Sequence, residues 1–331
     1  MSVHDAAPSE PAWGEANLRW SAGIINHGAY DELEDCFAAL ARQTLPPTAI
    51  VLYDTGEDPA RVEALRLDFP QIDFQIGPNR GYAGGANLLV ELLQRDPDPV
   101  DFILLLNPDV ELEPDYARCL IRAMARQPDV AIAAGKLLRP DAETLDSAGI
   151  YLPRNRRPRD RGADQRDVGQ FNTDEFVDAA TGAAMMLREK SIEDLRIDGE
   201  LFDEIFFAYH EDTDLCWRAR RFGWAILYEP RSIALHRRGW QHQRRFEIPI
   251  STRRHSFKNH YLQILKNETA GGFLRNLPWL ATWELLRLGF VILRDRQMFL
   301  AYRDAWRELP DAWRKRALIQ SRVREGRRSR S

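Results

Sequence analysis

Two polar side chains, Asn107 and Asp109, follow directly on the apolar run Phe102 to Leu106 (FILLL). A run with no polar residue to turn toward water predicts a strand buried on both faces, as in parallel sheets. Open α/β sheets bind ligands at the carboxyl ends of their strands, so both side chains are candidates for ligand binding. Asn-Pro-Asp is also favourable turn chemistry, and a purely structural turn stays open as the alternative.

Three acids, Glu211, Asp212 and Asp214, follow the apolar stretch FFAYH. Such a cluster is costly unless a cation or a proton-transfer task stabilises it. Asp214 opens a predicted helix that ends at Gly223, and we expect it to cap that helix or to interact with its dipole. Capping explains Glu211 and Asp212 poorly, so these two are candidates for catalysis.

Two loops in the first half have residue types suited to a phosphorylated ligand. Asp54 ends a predicted strand, where a carboxylate can accept hydrogen bonds from a base or a ribose. The stretch NRGYAGGAN, Asn79 to Asn87, puts three glycines before a predicted helix, which lets backbone amides approach an anion. It is neither GxGxxG nor a P-loop, so the phosphate-site signal is weak.

Strands and helices alternate along this half. The predicted strands are Trp20 to Asn26, Ala49 to Asp54, residues 72–77 and residues 101–106, and the predicted helices are Asp31 to Gln43, Pro59 to Phe69 and Gly84 to Arg95. This alternation predicts an α/β fold with a doubly wound, mostly parallel sheet over about the first 140 residues. Residues 154–166 have no apolar side chain larger than Ala, which predicts a mobile surface loop.

Composition and charge exclude several classes of protein. With 331 residues and 44% apolar content the chain is globular, and three cysteines without a CxxC pair indicate neither a disulfide framework nor a zinc site. The N-terminus lacks the pattern of a signal peptide, so we expect a cytoplasmic protein. Residues 314–331 carry eight Lys and Arg and one acid, a charge of +7, which leaves −11 for the rest of a chain of net charge −4. A general nucleic-acid coat is therefore not expected, whereas the tail could contact phosphates, including those of lipids, or be a solvated end.

Five stretches carry a family resemblance: NRGYAGGAN, LLLNPDVEL, TGAAMML, FDEIFFAYHEDTDLCWRARRFGW and ALHRRGW. In this order and spacing, over roughly Ser21 to Lys266, they resemble family-two inverting glycosyltransferases, and most closely the rhamnosyltransferase-like branch. The resemblance implies a GT-A fold. It also implies transfer of a sugar, with rhamnose as the candidate, from a nucleotide-diphosphate donor to an acceptor hydroxyl with inversion at the anomeric carbon.

The resemblance also implies a donor site. Asp54 looks like the acid that contacts the nucleobase, and Asn79, Gly81 and Asn87 resemble the loop around the nucleotide and its diphosphate. One departure is INHGAY, where relatives carry a sequence like Val-Asn-Tyr-Asn, so contacts from the first strand stay open.

Metal and base positions follow from the same resemblance. Asn107 and Asp109 occupy the family's Asp-x-Asp position, where Mg²⁺ or Mn²⁺ bridges the donor phosphates. Because Asn107 is neutral, metal ligation is expected from Asp109 together with His236. Asp212 resembles the general base that deprotonates the acceptor hydroxyl, and Glu211 is expected to orient it.

Residues 267–313 are rich in Trp, Leu and Phe, but charged residues interrupt them before a run of about 20 apolar residues is reached. Amphipathic helices and a basic tail suit an acceptor carried on a polyprenyl lipid, with peripheral contact at the inner face of the cytoplasmic membrane. Packing on the core or on a second subunit is the alternative. The predicted parts are an N-terminal extension (1–20), a catalytic domain (21–266, divided near 140), an amphipathic helical extension (267–313) and a basic tail (314–331).

Two other classes of function stay open. A sugar-phosphate nucleotidyltransferase is expected to have a Gly-rich loop with Arg and Lys near its N-terminus, and SAGIINHGAY has neither residue. A non-catalytic protein that binds a nucleotide sugar or a partner is the second, because the neutral Asn107 weakens the metal site.

Overall fold

The computed structural model describes residues 18–95, 97–238 and 246–328, so most of the predicted N-terminal extension and the last three residues of the basic tail lie outside the described residues. The first half alternates strand and helix as predicted. It contains β1 (Trp20–Asn26), α1 (Tyr30–Ala41), β2 (Ile50–Asp54), α2 (Pro59–Asp68), β3 (Asp73–Ile76), α3 (Gly81–Gln94) and β4 (Phe102–Leu106). The helix predicted from Gly84 starts three residues earlier, so Gly84 and Gly85 lie inside α3. A Cβ at Gly85 would press on Ile25 of β1, so this glycine lets α3 approach the sheet closely.

Shorter strands and then long helices make up the second half. The order is β5 (Val110–Leu112), α4 (Tyr116–Ala125), β6 (Val130–Leu138), β7 (Leu145–Ser147), β8 (Ile150–Tyr151), β9 (Arg159–Asp160), β10 (Glu175–Phe176), β11 (Ala184–Arg188), α5 (Ile192–Leu195), α6 (Glu211–Phe222) and β12 (Ala225–His236). Three C-terminal helices follow: α7 (Ile250–Asn267), α8 (Ala270–Arg294) and α9 (Phe299–Arg328). In the part of the chain that the structure describes, no helix is both long and apolar enough to cross a membrane.

One ten-stranded sheet joins the two halves. Its order is β10-β12-β6-β11-β4-β1-β2-β3, with β5 paired to β12 and β7 paired to β6. The neighbours β4, β1, β2 and β3 are parallel, whereas β11 is antiparallel to β4 and β6. In β4, Leu104 and Leu106 pack into one core while Ile103 and Leu105 pack into the core on the other face. The predicted class, a doubly wound and mostly parallel α/β sheet with a C-terminal helical extension, is confirmed.

The arginine-rich segment 154–166 lies largely at the surface, but it is packed against a helix. The guanidinium of Arg154 is 4.3 Å from the ring centroid of Trp279, and that of Arg157 is 5.0 Å from the ring centroid of Trp283. The prediction of a loop without packing overlooked that Arg can stack on aromatic rings. These contacts join the segment to α8.

The basic tail is not a separate segment, because α9 continues without a break across residues 313 and 314. Nζ of Lys315, a buried residue, lies 2.9 Å from a carboxylate oxygen of Glu200 and 2.6 Å from one of Asp203. Arg322 donates to the carbonyl oxygen of Asp194 over 2.5 Å. The alternative of a solvated tail is therefore wrong for Lys315 and Arg322, whose charges hold α9 against the rest of the protein.

Candidate active site

The imidazole of His236 lies between the carboxylates of Asp109 and Asp146 at one edge of the sheet. Asp109 follows β4, and the pairing of β12 with β5 places His236 opposite Val110. Nε2 of His236 is 3.5 Å from Oδ2 of Asp109, and Nδ1 is 2.7 Å from Oδ2 of Asp146. The two predicted metal ligands therefore lie together, and Asp146, which the sequence analysis missed, lies behind the imidazole.

The acids on either side of His236 control its charge. Burial disfavours the protonated ring, but hydrogen bonds and charges from Asp109 and Asp146 outweigh burial and raise the pKa to about 9. The pKa of Asp146 is lowered because His236 and Arg238 outweigh the effect of its own burial. At neutral pH the metal-free protein therefore contains an imidazolium here, which must lose its proton to bind a cation.

These residues also fit the predicted divalent cation. Within the described ranges, no three His, Cys, Asp or Glu side chains form a complete metal site. Asp109 and His236 offer one oxygen and one nitrogen, and a cation that also binds phosphate oxygens needs only one or two protein ligands. Asp146 would orient the neutral imidazole through Nδ1, as carboxylates behind histidine ligands commonly do.

One turn connects this edge to the acids of α6. The N–H of Asn107 donates to the carbonyl oxygen of Ala183 over 2.9 Å. The N–H of Gly182, the residue before Ala183, donates to Oδ2 of Asp212 over 3.0 Å. Tyr82 fixes the same turn, because its hydroxyl donates to the Gly182 carbonyl over 2.6 Å. The structure thus connects the predicted metal edge and the predicted base through two adjacent backbone residues.

Asp212 has the properties that a general base needs. Its Oδ1 accepts hydrogen bonds from the N–H of Thr213 at 2.6 Å and from the Thr213 hydroxyl at 3.2 Å. Burial raises the pKa of Asp212, although the hydrogen bonds from Gly182 and Thr213 oppose this. A half-buried, oriented carboxylate with a raised pKa accepts a proton more readily than a free one, as a general base requires.

Glu211 differs from its neighbour in environment. The residue is 6% exposed, and its Oε2 has no hydrogen-bond partner among the described residues. Burial, and then repulsion from Asp212, raises the pKa of Glu211 well above its ordinary value. A protonated Glu211 puts no second negative charge beside Asp212, which fits a supporting role.

Asp214 is not a helix cap, contrary to the sequence analysis. It is the fourth residue of α6 and is fully buried. Its Oδ2 accepts from Lys266 at 2.7 Å and from Arg218 at 3.0 Å, and its Oδ1 accepts from Asn267 at 2.6 Å. The first-turn position suggested a cap, but two of these partners come from α7, more than 50 residues away. Asp214 therefore joins α6 to α7.

A strained loop leads into α6. Positive φ angles occur at Phe207 (63°), Tyr209 (71°) and His210 (71°). Residues other than Gly seldom adopt this conformation without strong support from their surroundings. The side-chain amide of the fully buried Asn259, on α7, donates to the carbonyl oxygens of Phe206, Ala208 and Tyr209 over 2.7–2.9 Å. Asn259 thus holds the loop that presents Glu211 and Asp212.

The predicted donor loop packs against this strained loop. Oδ1 of Asn79 accepts from the N–H of Gly81 at 2.9 Å, and Gly81 has a φ of +68°. A Cβ at Gly81 would overlap the carbonyl oxygen of Phe207, which also accepts from the N–H of Ala83 at 3.1 Å. Asn79 and Gly81 therefore lie next to the segment that carries the predicted base.

Two other residues that are predicted to contact the nucleotide-sugar donor have side chains that point into the protein. Asp54 is fully buried, and its oxygens accept from the Asn26 amide (2.6 Å), the Tyr30 hydroxyl (3.1 Å) and the Gly56 N–H (2.6 Å). Asn87 accepts from the N–H of Phe202 and donates to the carbonyl of Phe202, both at 2.8 Å. Protein groups bond to the polar atoms of Asp54 and Asn87 in this structure, and direct contact of these two residues with the donor stays a prediction. Asp54 joins the loops that follow β1 and β2.

Gly81→Ala should destabilise the protein by at least about 2 kcal/mol, since the left-handed backbone and the overlap with Phe207 both add cost. Chemical denaturation measures this loss. Gly28 is a matched control, because its φ is +78° but a Cβ there would meet nothing within 4 Å. Equal losses for Gly81→Ala and Gly28→Ala would show that the close approach to Phe207 contributes nothing.

Comparisons with known proteins show which family and fold the chain is similar to. The model of the family described as glycosyl transferase family 2 matches residues 21–195. The N-acetylglucosaminyl-diphospho-decaprenol L-rhamnosyltransferase of Mycobacterium tuberculosis is 26% identical over 240 residues, covering 64% of this chain and 74% of that protein. The rhamnosyltransferase WbbL of Escherichia coli is 23% identical over 230 residues, covering 64% of this chain and 81% of that protein.

Two solved structures have the same fold at low sequence identity. GalNAc-T7 with UDP, GalNAc and Mn²⁺ superposes with a TM-score of 0.55 and 12% identity, covering 75% of this chain and 48% of that one. The mannosyltransferase PcManGT from Pyrobaculum calidifontis, in complex with GDP-Man and Mn²⁺, gives a TM-score of 0.50 and 13% identity, covering 93% and 86%. The expected GT-A fold is confirmed, as is the resemblance to glycosyltransferases with rhamnosyltransferase relatives. The family match covers more than half of the length of this chain, so the chain belongs to glycosyl transferase family 2.

Proposed function

We propose that this glycosyltransferase moves rhamnose, with inversion, from a nucleoside-diphosphate donor to a hydroxyl of a glycan carried on a polyprenyl diphosphate. One observation carries the proposal: Gly182 holds Asp212 while the adjacent Ala183 bonds to Asn107, so base and metal edge share one turn. The names of the mycobacterial and Escherichia coli relatives support the choice of rhamnose, and the decaprenol in the first name supports a lipid-linked acceptor.

In the proposed reaction Asp212 accepts the proton of the acceptor hydroxyl while the oxygen of that hydroxyl bonds to the anomeric carbon of the donor sugar. The nucleoside diphosphate leaves from the opposite face, so this single displacement inverts the configuration and needs one base. The N–H groups of Gly182 and Thr213 orient the carboxylate, and Glu211, whose raised pKa favours its neutral form, supports it.

Asp109 and His236 would hold Mg²⁺ or Mn²⁺, with Asn107 beside them. When bound, a divalent cation offsets the charge that develops on the leaving diphosphate. The loop that contains Asn79 and Gly81 would bind the nucleotide-sugar donor. This loop packs against the segment that bears the proposed base.

We place the reaction in the cytoplasm, at the inner face of the cytoplasmic membrane, in the synthesis of cell-envelope glycans. The support is chemical, because a sugar acceptor on a long polyprenyl chain is held at a bilayer surface. The acceptor in the name of the mycobacterial relative is of this type.

Transfer assays test the proposal and its metal site. Purified protein would be given a panel of nucleotide sugars and a short-chain prenyl-diphosphate glycan, with and without a chelator, and products would be identified by mass spectrometry and NMR. We expect Asp109→Ala to abolish metal-dependent donor binding and Asn107→Asp to preserve or tighten it. Full transfer by Asp109→Ala in chelator would refute the metal assignment, and retention at the anomeric carbon would refute inversion.

Metal affinity should increase with pH between about 7 and 9, by up to tenfold per unit, because the cation must displace the proton of His236, whose pKa is about 9. The raised pKa also stabilises the metal-free fold below about pH 6.5, and this contribution is lost as the pH rises through about 9. Calorimetric titration with Mn²⁺ measures the first effect. His236→Gln should remove most of the pH dependence, and an unchanged slope in that variant would exclude His236 as a ligand.

A further inference from the structure

The surface of α8 is apolar to an unusual degree for a helix exposed to solvent. Only three of its 25 residues are buried: Asn276, Leu280 and Val291. Ten large apolar side chains on it are exposed: Phe273, Leu274, Leu277, Trp279, Leu285, Leu286, Leu288, Phe290, Ile292 and Leu293. An exposed apolar surface of this extent generally marks an interaction site.

The exposed charges on α8 are positive. Arg275 and Arg294 are exposed, whereas Glu284, its only acid, accepts from the Tyr261 hydroxyl at 2.5 Å and lies 3.5 Å from Arg287. The exposed surface of α8 therefore combines apolar side chains with cations and presents no unpaired carboxylate.

A cationic cleft adjoins the C-terminal end of α8. It has a volume of about 420 Å³, and its lining includes Leu293, Arg294, Arg296 and Phe246. Arg253 and Asp295 line it as well and are paired with each other over 2.5 Å. Arginines beside apolar side chains match a lipid phosphate and the first part of its acyl chain.

The same helix is attached to the half of the protein that contains the base. Its Trp279 and Trp283 lie against Arg154 and Arg157. The neighbouring Arg156 donates to Glu268 over 2.5 Å and has its guanidinium 5.1 Å from the ring centroid of Trp217, on α6. A surface that bound α8 would therefore lie beside the catalytic helix.

We propose that α8 docks in the interface of an anionic lipid bilayer, lying along the membrane surface. Leu285 and Leu286 are consecutive, about 100° apart around the helix, and both are exposed, as are Ile292 and Leu293. An apolar arc this wide suits immersion in the boundary between headgroups and acyl chains more than contact with one flat protein face, and the arginines match lipid phosphates. This deepens the proposed function by identifying the surface on which a lipid-linked acceptor meets the enzyme.

Vesicle flotation of the full-length protein tests this docking independently of transfer. We expect flotation with vesicles of phosphatidylcholine and phosphatidylglycerol, and weaker flotation in high salt or with phosphatidylcholine alone. Leu285→Glu combined with Leu293→Glu, at positions 72% and 79% exposed, should lower partitioning by on the order of 100-fold. Leu67→Glu, on α2 at 73% exposure, is the matched control and should float like the parent.

Two further measurements separate the alternatives. Arg294→Glu should reduce only the salt-sensitive part of binding, and it tests the proposal even if the double variant fails to fold. Light scattering of the parent and double variant reports whether a second copy covers α8. A parent dimer that dissociates in the double variant, without vesicle binding by the parent, would overturn the proposal, as would unchanged flotation of a folded double variant. Transfer to a water-soluble acceptor is scored separately, so failed docking with intact transfer rejects this inference alone.

Discussion

Asp212→Asn should lower kcat by about 10²–10⁴-fold with little change in donor affinity, because the amide cannot accept the proton of the acceptor hydroxyl. The variant keeps the size of the side chain, although one of the N–H groups of Gly182 and Thr213 then faces an amide nitrogen. The free energy of unfolding should fall by only about 1 kcal/mol. Steady-state transfer and calorimetric titration with the donor separate the two effects.

Glu211→Gln is the control for this measurement. Gln has the same shape and hydrogen-bonding groups as a protonated Glu, the form that the raised pKa of Glu211 favours, so its activity should fall much less. Parent-like turnover by Asp212→Asn together with an inactive Glu211→Gln would reverse the two roles. If neither substitution mattered, the base would lie elsewhere.

Asp214→Asn should cost about 3–5 kcal/mol in the free energy of unfolding, because it removes a charge that compensates buried cations. Lys266 would retain its contact with the Asp203 carboxylate at 2.5 Å, whereas Arg218 would lose the negative charge that lies 3.0 Å away. This differs from the sequence expectation of a cap, for which Asn would substitute at little cost. Denaturation with guanidinium chloride, read by circular dichroism, gives the value.

Asp58→Asn is the matched control for Asp214→Asn. Asp58 does cap a helix, since its Oδ1 accepts from the N–H groups of Ala60 and Arg61, each at 3.1 Å. Asn is an equally good cap, so the cost there should be less than about 1 kcal/mol. Similar small losses for both variants would show that the buried charges around Asp214 are not coupled.

Most of the sheet could be predicted because its signals are local. The strand Trp20–Asn26 has the predicted bounds, and FILLL forms the buried strand β4, since periodicity and burial depend on neighbouring residues. The closeness of Asp109 to the end of β4 could also be predicted, because only two residues separate it from that strand. The glycine-rich stretch was less informative, because Gly84 and Gly85 lie inside α3, where Gly85 lets the helix approach β1.

The groups that support the site could not be predicted, because their partners are distant in the chain. Asp146 lies 90 residues before His236, and Asn259 is about 50 residues after the loop that it holds. Each is one polar residue in an unremarkable stretch. The same holds for Asp54, whose place at a strand end predicted a ligand contact but not the hydrogen bonds that it accepts from Asn26 and Tyr30.

The dependence of the left-handed loop on Asn259 limits how this protein can be recombined with its relatives. A chimera joined between residues 212 and 259 would take Glu211 and Asp212 from one parent and the Asn259 amide that fixes the preceding backbone from another. The match to the family model stops at residue 195, so a crossover at that boundary keeps the acids and Asn259 together. It would still separate Gly81 from the Phe207 carbonyl that excludes a side chain there. Acceptor specificity is therefore best exchanged by grafting surface positions, with the segment from α3 to α7 inherited from a single parent.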